Sequence, residues 1–107
     1  MKLDTNIWGP RYWFFLHTAA MAYPSTPNAT IKKKFYEFIQ NFPLFIPDER
    51  ISASFSELLD AFPVSPYLDS KDSLIRWTHF IHNKVNKKLE KEEISMSRFY
   101  GEYYEQY

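Results

Sequence analysis

The sequence predicts an all-α fold, a four-helix bundle closed by a fifth short helix, and three observations predict it. Apolar residues recur at three- and four-residue steps, no stretch alternates as a strand does, and the seven prolines at 10, 24, 27, 43, 47, 63 and 66 leave proline-free blocks of helical length. At 107 residues the chain holds one core's worth of sequence, so residues 1–107 are expected to form a single domain. Hydrophobic residues at 45% and aromatics at 20% can fill that core and exclude a disordered segment.

The first helix is expected at about Pro10 to Tyr23, with Pro10 in its first turn, where a missing N–H costs nothing, and Pro24 just past its end. It is apolar nearly all round, from Tyr12 and Trp13 to Met21. Thr26 and Pro27 read as cap and first turn of a second helix, about 27 to 42, in which Ile31, Phe35, Phe38 and Ile39 form the apolar stripe. Lys32, Lys33 and Lys34 fall between them as a solvated face. Pro47 opens a third helix, about 47 to 62, with Asp48 and Glu49 in the first turn, where the backbone dipole favours anions. Beyond Pro63 and Pro66, Asp69 or Ser70 caps the fourth and longest helix, which runs to about Lys88 or Lys91; a short aromatic helix from Ser95 to Tyr104 packs across the others.

Thirteen basic residues balance thirteen acidic ones, so no global field holds a polyanion and nucleic acid is a poor candidate partner. No apolar run is long enough to span a bilayer, and the first residues lack a signal-peptide layout, so a soluble, unprocessed chain is expected. The chain has no cysteine, which removes disulfides, thiolate metal sites and thiol nucleophiles from its chemistry.

The fourth helix carries the most information. Leu74, Trp77, Ile81, Val85 and Leu89 share one side and are core, whereas His79, His82, Asn83 and Asn86 share a second stripe at spacing i, i+3, i+4, i+7. That stripe is either a polar surface face or a ligand wall, with Trp77 and Phe80 near enough to stack on a flat ring. His79, His82 and His17 raise the possibility of a metal, but no carboxylate lies within the cluster and no thiolate exists, so no metal site is expected.

Trp8-Gly9, Tyr12-Trp13, Leu16-His17, Tyr23-Pro24, a Pro47-led helix, and then Trp77 followed by His82-Asn83-Lys84-Val85-Asn86-Lys87-Lys88-Leu89-Glu90-Lys91 resemble the Erv/ALR family of FAD-linked sulfhydryl oxidases. The opening and the Ile94 to Tyr100 ending look most like the short members encoded by large DNA viruses. The resemblance implies a helical bundle, often a homodimer, with FAD at the mouth of the bundle. Carried over by position, Gly9, Trp13, His17 and Tyr23 match flavin contacts of the first helix. Trp77, His82, Asn83, Val85 and Asn86 match those of the fourth, and Lys88 and Lys91 are candidates on the phosphate side. Plain core for Trp13 and Trp77, and a solvated helix end for the lysines, remain the alternatives.

Family members that oxidise thiols carry Pro-Cys-x-x-Cys at the start of the third helix. Here the segment reads Pro47-Asp48-Glu49-Arg50-Ile51, so Asp48 and Ile51 stand at the cysteine positions. A carboxylate and a butyl group cannot relay electrons from a thiol to a flavin. No catalytic residue is therefore assigned. The expectation is a family member that kept the scaffold and lost the dithiol, with FAD as the cofactor the resemblance implies. Its role is then structural or interactive, among capsid or assembly proteins if the viral likeness holds. The alternative is an FAD-dependent oxidase with residual or partner-assisted activity.

Overall fold

The computed structural model describes residues 1–105 and is helical throughout, with no strand among the described residues. Four longer helices, α1 (Thr5–Met21), α2 (Ala29–Asn41), α3 (Glu49–Ala61) and α4 (Lys71–Lys88), are followed by a short α5 (Met96–Phe99) that runs directly into a wide π-type turn, Tyr100–Tyr104. Short 3-10 turns at Phe42–Phe45 and Ser65–Tyr67 join α2 to α3 and α3 to α4, each with a proline near its start. No helix is long and apolar enough to cross a membrane among the described residues.

Three boundaries differ from the sequence reading, each because a different side chain supplies the cap. Helix α1 begins at Thr5, five residues before Pro10, since the Asp4 carboxylate accepts a hydrogen bond from the Asn6 N–H at 2.9 Å. Pro10 therefore lies inside the helix, and the carbonyl deprived of its donor is that of exposed Asn6, which water can satisfy. Asn28, not Thr26, caps α2, its side-chain oxygen taking the Ile31 N–H at 2.9 Å, so Pro27 stands outside the helix. Asp48 is the cap of α3 and not a first-turn residue, with Pro47 one step before it. Ser70, one of the two caps the sequence offers, caps α4, and Ser95, where the last helix is expected to begin, caps α5; their hydroxyls take the N–H groups of Ser73 and Arg98.

The core lies where α1, α3 and α4 meet: Leu16 and Ala20, Phe55, Leu58 and Leu59, and Leu74, Trp77, Ile81 and Val85 are all buried. Its polar atoms find backbone partners at the joints. Tyr23 donates to the Leu68 carbonyl at 2.6 Å, the Trp77 indole to that of Phe62 at 3.1 Å, and Tyr12 to that of Phe45 at 2.7 Å. The C-terminal segment is pinned to α4 by two side chains. Asn83 accepts from the Ile94 N–H at 2.7 Å and donates to its carbonyl at 2.8 Å, and His79 Nε2 reaches the same carbonyl at 2.8 Å. This contact brings Phe99 and Tyr103 over α1 and closes the end of the bundle.

Helix α4 ends in a Schellman turn: the Glu90 N–H bonds the Lys87 carbonyl at 3.1 Å and the Lys91 N–H that of Asn86 at 2.7 Å. Glu90 adopts the left-handed conformation this requires, with φ of 58°. The turn folds Lys91 back beside Asn86.

Candidate functional site

A cleft of about 390 Å³ opens at this end of the bundle, a size typical of small-molecule sites. Gly9, Tyr12 and Trp13 of α1 form one wall, Ile51 and Phe55 of α3 a second, and His82, Val85 and Asn86 of α4 a third. Lys91, Arg98, Glu102 and Tyr103 contribute the rim.

The Trp13 and His82 rings lie flat on each other, centroids 3.8 Å apart and planes within 9°. Behind them His17 is buried between α1 and α4. Its Nε2 is 2.9 Å from His82 Nδ1, its Nδ1 is 3.2 Å from Thr78 Oγ1, and Phe99 and Tyr103 cover its faces. Burial, reinforced by the fields of His82 and His79, pushes the His17 pKa down to about 2. Burial and the fields of His79 and Lys91 push that of His82 down to about 3. Both imidazoles are neutral at pH 7. Burial raises the Tyr103 pKa, and Glu102 adds to the shift, so its hydroxyl stays protonated.

Of the residues singled out in the sequence, Gly9, Trp13, His82, Val85, Asn86 and Lys91 line the cleft. His17 stands one layer behind. The others are placed elsewhere: Tyr23 is fully buried past the opposite end of α1, Trp77 is core, Asn83 clamps Ile94, and Lys88 pairs with Glu57 at 2.7 Å. Phe80 lies outside the cleft, half-exposed against Phe62 and beneath the Lys84 ammonium. The His79-to-Asn86 stripe thus divides, His79 and Asn83 serving the C-terminal clamp and His82 and Asn86 the cleft. No group of histidines and carboxylates that could hold a metal occurs among the described residues. The sequence reading missed Ile51's place on the wall and the whole rim beyond Lys91. Arg98 and Glu102, four residues apart and ion-paired at 2.7 Å, were the signal available for that last helix.

The sequence profile of the Erv1 / Alr family matches residues 10–105. The chain belongs to this family. An FAD-linked sulfhydryl oxidase of African swine fever virus is 33% identical over 99 residues, which cover 92% of this chain and 81% of that one. The probable FAD-linked sulfhydryl oxidase of Acanthamoeba polyphaga mimivirus is 31% identical over 80 residues, 74% of this chain. The chain spans about half the length of some Erv1 / Alr relatives, the match covering 56% of the mimivirus protein and 46% of the mitochondrial oxidase of Schizosaccharomyces pombe. The crystal structure of the yeast Erv1 core superposes over the whole of this chain and 89% of its own, with a TM-score of 0.86 at 26% identity.

The geometry of the cleft suits FAD. Gly9 sits inside α1, where glycine costs about 0.5–1 kcal/mol relative to alanine. A Cβ there would meet only the Thr5 methyl, at an ordinary 3.6 Å. Packing therefore gives no reason for a glycine, and the space it leaves belongs to the cleft. The indole face of Trp13, the hydrogen-bonding edges of His82 and Asn86, and the Lys91 ammonium match a flat heterocycle carried on an anionic tether. The residues present fit the group.

Proposed function

We propose that this Erv1 / Alr protein binds FAD in the cleft but does not oxidise thiols, and acts as a structural or interaction protein. The observation that carries the reading is the α3 wall. Ile51, at the position of the second family cysteine, contributes an aliphatic side chain to the cleft, and the sequence has no cysteine to replace it. Converting two thiols to a disulfide moves two electrons and two protons, and a bound flavin supplies an acceptor for them. Without a thiolate on the wall no residue of this chain can relay them.

Gly9, Trp13, His82, Val85 and Asn86 are the residues proposed to contact FAD, with Lys91 on the pyrophosphate and His17 holding His82 from behind. Lys88, spent on Glu57, and Tyr23, Trp77 and Asn83, which serve the fold, support the site indirectly. Likeness to the African swine fever virus and mimivirus oxidases supports a virion or assembly role. A dimer is proposed through α1 and α2, where Phe15 and Phe38 meet edge to face beside a groove of about 520 Å³ and Phe15 and Phe45 remain exposed.

Visible absorption of the purified protein after incubation with FAD and gel filtration tests the cofactor. A co-eluting flavin band is expected, and a colourless protein would defeat that half of the reading. Oxygen uptake with a reduced protein substrate, measured against free FAD, tests the other half.

A further inference from the structure

We propose that Thr78 is a positioning residue which, through His17, fixes the proton on His82 Nδ1, so that the cleft presents the bare His82 Nε2 as an acceptor and selects a ligand ring that offers an N–H donor. The inference rests on the proposed FAD site and adds the polarity of its contact.

The order of protons follows from one carbonyl. Thr78 Oγ1 is 2.8 Å from the Ile75 carbonyl, which can only accept, so the single hydroxyl hydrogen is spent there. The same oxygen, 3.2 Å from His17 Nδ1, must then accept, which places the His17 proton on Nδ1. A neutral imidazole carries one proton, so His17 Nε2 is bare and must accept from His82 Nδ1 at 2.9 Å. His82 in turn is left bare at Nε2.

That atom faces the cleft. His82 is only 5% exposed and lines the cleft wall, and Nε2 has no hydrogen-bond partner among the described residues. No buried side-chain nitrogen or oxygen lacks a partner there, so Nε2 is accessible from the cleft and not sealed in the core. The low pKa values of both histidines keep the chain in this neutral order at pH 7. Trp13, flat on the His82 ring, fixes the plane in which the lone pair points, so a donor must meet it edge-on. Both halves of FAD carry such a donor: the adenine has an exocyclic amine and the flavin an imide N–H.

Long-range proton–nitrogen correlation spectra of the ligand-free chain test the relay. The Nδ1–H form of both histidines is expected in the native protein and in Thr78→Ser. In Thr78→Val, which removes the accepting oxygen, both proton orders become open and a mixture is expected. The Nε2–H form of His82 in the native chain, or an unchanged tautomer in Thr78→Val, would overturn the assignment.

Binding of paired probes tests the selection and identifies the half of FAD involved. AMP is compared with purine riboside monophosphate, which replaces the amine by hydrogen and has no ring N–H, and FMN with its 3-methyl derivative. One of the blocked partners should bind roughly ten- to hundred-fold more weakly, because it leaves Nε2 desolvated and unpaired, and Thr78→Val should narrow the gap. Equal binding within both pairs would overturn the selection. If FAD, AMP and FMN all fail to bind, the cofactor reading falls and the selection with it, while the nitrogen spectra still decide the relay.

Discussion

The carboxylate of Asp48 accepts a hydrogen bond from the backbone N–H of Ile51 at 2.9 Å, joining the two positions at which the family resemblance implies a cysteine pair. The pair has become a helix start. Asp48 satisfies a donor that α3 would otherwise leave open, and Ile51 turns an apolar side chain to the cleft. Asp48→Ala should cost about 1 kcal/mol, lowering the melting temperature by roughly 4–8 °C for a domain of this size. Thermal denaturation of the two proteins side by side checks this, and an unchanged midpoint would mean that the cap adds nothing.

Gly9→Ala should move stability and cofactor affinity in opposite directions. Alanine is the better helix former by about 0.5–1 kcal/mol, and its methyl meets nothing closer than the Thr5 methyl at 3.6 Å, so the midpoint should rise. The same methyl enters the cleft, and FAD affinity should fall. A titration showing unchanged affinity would remove Gly9 from the proposed site.

Glu90 is an acidic residue in left-handed backbone, φ 58°, at the turn that ends α4. An L side chain there costs about 1–2 kcal/mol that glycine avoids. Glu90→Gly should therefore raise the midpoint of urea unfolding, even though it loosens the unfolded chain. A lower midpoint would show that the glutamate side chain contributes more than its backbone costs.

The two buried histidines set the acid limb of stability. Their native pKa values, about 2 for His17 and about 3 for His82, lie below the unfolded value near 6.5. Between those limits the unfolded chain binds more protons than the folded one, so stability is full above pH 6.5 and falls as the pH drops. Each histidine contributes a slope approaching about 1.4 kcal/mol per pH unit. Glu57, held low by Lys88, acts in the same direction only below its ordinary 4.5, which leaves the histidines to set the slope from pH 6.5 to 5. Urea unfolding across that window measures it, and a flat profile would contradict the buried neutral pair.

Prolines and short polar residues made the helices legible, and the errors arose where two caps competed. Pro10 satisfies the rules for a first-turn residue, but Asp4 lies six residues earlier and reaches a free N–H, so the helix starts there. On α4 the periodicity put His79, His82, Asn83 and Asn86 together. Counting 100° per residue, the pair His79 and Asn83 is offset about 60° from His82 and Asn86, enough to face a different neighbour. That neighbour, the Ile94 backbone, is eleven residues beyond Asn83, and no local pattern announces the contact. The cleft wall was legible from Gly9, Trp13, His82 and Asn86. Its rim was not, because Arg98, Glu102 and Tyr103 reach it only through the Asn83 clamp.

The loss of thiol oxidation can be separated from loss of the cofactor by restoring the missing pair. The native chain, with FAD added, should give no oxygen uptake above free FAD on a reduced protein substrate, since neither Asp48 nor Ile51 can form a mixed disulfide. Uptake that required bound flavin and disappeared in His82→Ala would refute this. The double variant Asp48→Cys with Ile51→Cys places thiols at the cap and at the cleft wall, at the cost of the Asp48 hydrogen bond and part of an apolar contact, so it should melt earlier than the native chain. The comparison is therefore made below the variant's own transition, with the flavin band read alongside the rate. A yellow variant that consumes oxygen would show that the scaffold retained a competent flavin site and that only the dithiol was lost. A yellow but inactive variant would place a second lesion between Ile51 and the ring, where Trp13 and Phe55 are the neighbouring walls. A colourless, folded variant of a colourless native chain would move the loss to the cofactor itself, and the aromatic face of α1 and α2 would then carry whatever function the fold retains.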